Sequence, residues 1–194
     1  MTLTELFQKE RDAYVRALES CLVEMRKTSP EAAAEVLVEL NSPETPLPFR
    51  LTRPDIISGS ANKPKISRVV KDEVFHFTPH EAKLPGGAKL HLHPLRWDNF
   101  KICLTGRISE WESYEAWVQK WLDADDIMTS PDSDFAGRIH QASMPLEENG
   151  CWFLVIDMGS AELDALNELF GVFQSIGAEF IEIGGETPRA SSLS

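Results

Sequence analysis

Cysteine is scarce in this 194-residue chain, long apolar runs are missing, and the second half is short of positive charge. Each shortage closes off a class of protein. The three cysteines, Cys21, Cys103 and Cys151, are odd in number, far apart and without a C-x-x-C pair. They lie in apolar segments, as the reduced, buried thiols of a cytoplasmic protein do. No apolar stretch approaches the roughly 20 residues that a membrane-spanning helix needs. The opening residues, MTLTELFQKERD, lack the basic start and apolar core of a secretory signal, so a cytoplasmic location is expected.

Catalytic signatures are missing too. There is no G-x-S-x-G elbow, no Walker loop, no G-x-G-x-x-G opening a helix and no H-E-x-x-H. Gly86-Gly87 and Gly184-Gly185 read as turns. Glu147-Glu148 and Asp125-Asp126 are adjacent in sequence, which is not the opposed geometry of acid–base chemistry. Asp157, the one acid inside an apolar strand, reads either as a carboxyl whose pKa is raised by burial or, the favoured account, as a strand-end residue bonded to backbone N–H groups. The pattern predicts no cofactor and no catalytic residue.

The net charge is −12, and its placement matters more than its size. Residues 1–100 hold 14 acidic and 14 basic side chains, whereas 101–194 hold 17 acidic and 5 basic. A half so poor in Lys and Arg does not bind nucleic-acid phosphates or anionic membrane. It steers basic partners instead.

What is present is a regular grammar of strands and helices. Cys151–Gly185 reads as a buried strand (WFLVIDM), a helix with apolar residues at Leu163, Leu166, Leu169, Phe170, Phe173 and Ile176, and a closing strand. Ser160 is the expected N-cap, and Gly177 the left-handed stop. Phe100–Ile108 alternates as a strand, and Ser109 with Glu112 predicts a capping box for a helix reaching Leu122. Gly137–Met144 and the Trp152 strand suggest a hairpin turning at Asn149-Gly150. The order strand, helix, strand, strand, helix, strand predicts an α+β fold, a ferredoxin-like split β-α-β sandwich with extra antiparallel strands and an N-terminal helical hairpin.

The organisation expected is a helical hairpin over 1–41, packed on the core. Its first helix is capped by Thr2 and Glu5, and its second starts at Ser29-Pro30-Glu31. A Pro-rich connector over 42–65 follows as a surface wrap. The sheet domain spans 66–185, with further strands at Ile66–Thr78 and Ala88–Arg96, and a flexible tail covers 186–194.

Three groups of residues are candidate sites. His76, His80, His91 and His93 crowd 18 residues of sequence. Period-two spacing puts His91 and His93 on one strand face, so His76, His91 and His93 are weak candidates for a metal on that face. The simpler account is a solvated sheet face. Asp123, Asp125, Asp126, Asp132 and Asp134 form an acidic belt, without the Gly and closing Glu of an EF-hand. Acids at a helix C-terminus oppose the dipole, so they mark either a solvated loop or a surface for cations. Trp111 and Trp121 share the apolar face of their helix, while Trp117 falls at its edge, where an exposed aromatic anchors an interface.

The expected function is therefore a non-enzymatic acidic protein-binding module. Its partner is a basic protein, met by Trp117, Asp123, Asp125, Asp126, Asp132, Asp134, Glu147 and Glu148. Inhibitors and immunity proteins that occlude the basic active site of a toxin or nuclease have this profile, by analogy. Either a monomer or a homodimer fits. The alternatives are a small-molecule or metal-binding module on the histidine-bearing sheet face, and an enzyme without a sequence-visible motif.

Overall fold

The computed structural model describes residues 2–60, 63–69, 75–127 and 134–184. Over these described residues it is a mixed α+β structure with three helices and a multi-strand mixed sheet. In chain order the elements are α1 (Leu3–Arg26), β1 (Ala33–Ala34), β2 (Val38–Glu39), β3 (Leu51–Thr52), β4 (Ile56–Ser58), β5 (Lys65–Ser67), β6 (His80–Lys83), β7 (Lys89–Leu92) and β8 (Phe100–Gly106). After these come α2 (Glu112–Leu122), β9 (Gln141–Ala142), β10 (Leu146–Glu148), β11 (Cys151–Asp157), α3 (Leu163–Ser175) and β12 (Ala178–Gly184).

The main sheet runs β10-β11-β8-β12-β7-β6, with β9 also paired to β11. β8 lies antiparallel to both β11 and β12, and β10 antiparallel to β11; β7 joins β12 in parallel. Burial alternates along β11: Leu154 and Ile156 are 1% and 0% exposed, whereas Val155 is 44% exposed. One face of this end of the sheet is therefore covered and the other open. The core packs Leu6, Phe7, Tyr14 and Leu18 of α1 with Phe100, Ile102 and Leu104 of β8 and the apolar stripe of α3.

Local signals set several boundaries. Thr2 Oγ1 accepts the Glu5 N–H at 3.2 Å, and Glu5 Oε2 accepts the Thr2 N–H at 2.7 Å, so the capping box forms. Asn149 (φ 54°) and Gly150 (φ 78°) both take left-handed conformations, as the tight β10–β11 hairpin requires. Gly106 closes β8 at φ +147°, beside the irregular register with β12. A Cβ there would stand 2.3 Å from the Gly177 carbonyl oxygen. Gly106→Ala is therefore expected to cost about 2–3 kcal/mol through strain and overpacking, read as a lower urea midpoint at unchanged m-value.

Other expectations are corrected. The second helix of the hairpin does not form. Turns lead from Ser29 into the two-residue strands β1 and β2, and Glu35 between them sits at φ 53°, which no helix accommodates. Ser109 does not cap α2, whose N-cap Trp111 makes no side-chain bond. Ser160 does not cap α3, which is preceded by Glu162. Its hydroxyl instead accepts the N–H groups of Gly137 and Arg138 at 3.1 and 3.3 Å. The Pro-rich stretch is not a plain surface wrap, because Leu51, Arg53, Asp55 and Ile56 are buried. Within Ile66–Thr78, the strand assigned is β5, which ends at Ser67, and 70–74 lie outside the described residues. The tail over 186–194 lies outside them as well.

Candidate functional site

The acidic interface expected from sequence does not assemble as a unit. Trp117 is 2% exposed and donates its indole N–H to the Ala165 carbonyl at 2.9 Å, locking α2 onto α3. It is a core residue, not an exposed anchor, because the edge of the α2 stripe faces a second helix. Asp123 is buried, with Oδ2 2.7 Å from Arg138 and 3.5 Å from Arg53. Asp126 meets Arg53 at 2.8 Å, and Asp134 forms a bidentate pair with Arg26 at 2.7 Å. Three of the belt's carboxylates are thus neutralised by arginines, two of which (Arg26 and Arg53) come from the first half. Asp125 is exposed, and Asp132 lies outside the described residues.

Glu147 and Glu148 stay exposed on β10, which among the described residues is one edge of the sheet. Register places Leu146 opposite Phe153 and Glu148 opposite Cys151. Directly opposed residues share a face, so Leu146, Phe153 and Val155 lie together on the open side. Leu146 is 58% exposed. An apolar patch on a free strand edge, bordered by two carboxylates, is therefore in place.

The histidine group separates. His91 Nε2 lies 2.5 Å from Glu81, and His93 Nε2 3.2 Å from Glu182. His76 is exposed. Among the described residues His76, His91 and His93 do not converge as metal ligands, because alternation lines up side chains within a strand but leaves His76 outside the paired β6–β7 segment.

The fifth histidine carries the densest chemistry in the fold. His140 is buried just ahead of β9, with Nε2 2.9 Å from Glu35 Oε1 and Nδ1 2.8 Å from Asp55 Oδ1. Glu35 arrives on the left-handed turn after β1, and Asp55 immediately precedes β4. Tyr14, from α1, donates its hydroxyl to Asp55 Oδ1 at 2.7 Å and sits 3.4 Å from His140 Nδ1. Asp157 ends β11 with Oδ1 3.8 Å from Nδ1.

Backbone donors complete the cluster. Val69 N–H reaches Asp55 Oδ2 at 2.5 Å, Ala136 N–H reaches Glu35 Oε2 at 3.0 Å, and Gly159 N–H reaches Asp157 Oδ1 at 3.0 Å. The strand-end bond expected for Asp157 is therefore present. Gly159, at φ +50°, leaves room for the ring, since a Cβ there would fall 2.3 Å from His140 Cδ2.

Electrostatics follow from this crowding. Burial alone would lower the His140 pKa, but the Asp157 charge and the bonds to Asp55 and Glu35 overrule it and raise it to about 10. Burial opposes ionisation of Glu35 and Asp55 as well, yet the imidazolium and the donors around each hold both below the usual carboxylate range. Asp157 moves the other way, pushed up chiefly by burial and by Asp55, against the pull of His140. The outcome is an imidazolium clamped between two carboxylates, with a third carboxylate beside it. No protein-family model, curated protein or solved structure matches this chain.

The four histidines that cluster in sequence do not converge, and the one that packs, His140, stands apart from them in the chain. Only Asp157 carried a signal, as an acid embedded in an apolar strand. Tyr14, Glu35, Asp55 and His140 converge from separate segments, and no spacing rule links them.

Proposed function

We propose that this chain is a non-enzymatic binding protein that docks a basic protein on the free β10 edge and the open face beside it. The observation that carries this reading is the apolar trio of exposed Leu146 and Val155 with half-buried Phe153, bordered by Glu147 and Glu148. An unpaired strand edge offers main-chain hydrogen bonds, the apolar trio offers desolvated contact, and the carboxylates select cationic partners. Covering the cationic cleft of a toxin or nuclease is the mode of action that suits such a surface. We read β10-β11-β8-β12, with α2 and α3 on one face, as a ferredoxin-like sandwich extended by β7 and β6. The succession of antiparallel neighbours supports that reading, and it leaves the second face for docking.

The test compares the wild type with Leu146→Asp and with the double variant Glu147→Lys/Glu148→Lys, each immobilised for affinity capture. The expected result is a basic partner held by the wild type and lost by both variants. Its association rate should fall about tenfold or more between roughly 0.05 and 0.5 M salt. Equal capture by all three, a neutral partner indifferent to salt, or a Leu146-dependent self-association in sedimentation overturns the proposal.

A further inference from the structure

We propose that Asp55, His140 and Asp157 form a binding site for a divalent cation of the zinc class, with Glu35 as the outer carboxylate that orients the imidazole. Their ligand atoms all lie within 4.8 Å of one another. The ligands of a tetrahedral zinc, each about 2.0 Å from the metal, stand about 3.3 Å apart. His140 Nδ1 is 2.8 Å from Asp55 Oδ1 and 3.8 Å from Asp157 Oδ1. Each of those two separations lies about 0.5 Å from the required one.

Three further features point the same way. Glu35 at 2.9 Å from Nε2 reproduces the carboxylate–histidine–metal arrangement, in which the distal ring nitrogen is tied down and the other faces the metal. Three carboxylates surround one imidazole; Arg96 acts on Asp157 only through its field, since its own hydrogen bonds go to Asp98. Burying that excess of negative charge is costly, and a divalent cation supplies the missing positive charge. Tyr14 Oη, 2.7 Å from Asp55 Oδ1 and 3.4 Å from Nδ1, stands beside the site as a further oxygen donor.

The ion takes the place of the Nδ1 proton and of the proton that burial favours on Asp157, and both leave to solvent. Asp157 is the way in, its side chain being 27% exposed against 7% for Asp55 and 2% for His140. A bound ion ties the approach to β4, the approach to β9 and the end of β11 together, and so acts as a structural clamp.

The experiment titrates the chelator-stripped full-length protein with Co²⁺, followed by zinc displacement, with folding of each variant checked by circular dichroism. The wild type should take up one equivalent and show the visible absorption of a four-coordinate cobalt site. Glu35→Gln should weaken binding about 10–100-fold, as loss of an outer-shell partner does, and Asp157→Asn by more than that. The surface double variant His91→Gln/His93→Gln should bind like the wild type. Absence of one-to-one uptake, undiminished uptake by Asp157→Asn, or loss of uptake in the surface double variant overturns the assignment.

Discussion

Replacing His140 with leucine is expected to destabilise the protein by about 3–5 kcal/mol, measured by urea denaturation in the presence of a chelator. The volume is roughly conserved, so the loss is not one of packing. It arises because Glu35 and Asp55, both buried, keep their backbone donors but lose the cation between them. An uncompensated buried charge costs more than the net worth of the pair it came from. The same logic gives the diagnostic second step. Adding Glu35→Gln and Asp55→Asn to His140→Leu should recover part of the loss, because neutral amides need no counter-charge. If the triple variant is less stable than His140→Leu alone, the amides have cost more than the charges they removed, and charge imbalance is not the cause.

Where the structure was legible in the sequence, the signal was local. Apolar spacing within single elements specifies the β8–α2 and β11–α3–β12 segments, and two residues that accept positive φ specify the Asn149-Gly150 hairpin. The N-terminal hairpin failed for the opposite reason. Pro30 and the alanines that follow favour a helix locally, but the carboxylate of Glu35 is needed at His140, over a hundred positions away in the chain. Reaching it takes a left-handed turn, and the tertiary demand outweighs a propensity worth tenths of a kcal/mol per residue. The charge asymmetry was real as a count and misleading as a surface. Arg26 and Arg53 of the first half reach Asp134 and Asp126 of the second, and no composition argument sees such pairings.

Arg53 is where that pairing matters most for stability, and Arg53→Ala is expected to cost about 3–5 kcal/mol. The side chain is 1% exposed, yet each of its three nitrogens is engaged. Nε donates to the Leu122 carbonyl at 2.7 Å, one terminal nitrogen to the Glu35 carbonyl at 2.6 Å, and the other to the Asp123 carbonyl at 2.9 Å and Asp126 Oδ1 at 2.8 Å. The sequence marked Asp123, Asp125 and Asp126 as a local cost, being acids at the C-terminus of a helix. Arg53 resolves that conflict for two of the three by placing a cation on the orphan carbonyls of α2, with the Asp123 and Asp126 carboxylates as its counter-ions.

The Glu35 carbonyl makes Arg53 the link between the end of α2 and the turn that carries a carboxylate to His140. Arg53→Lys should therefore recover only a minor part of the loss, since an ammonium on a flexible stem cannot reach carbonyls in three directions at once. The informative readout is local. Hydrogen exchange at Ile127, whose N–H bonds Asp123 Oδ1 at 3.1 Å, and at Ala136, bonded to Glu35 Oε2, should rise in Arg53→Lys, while the β8–β12 ladder stays protected. Uniform deprotection across the sheet would mean that Arg53 supports the whole core and not the junction between α2 and the Glu35 turn.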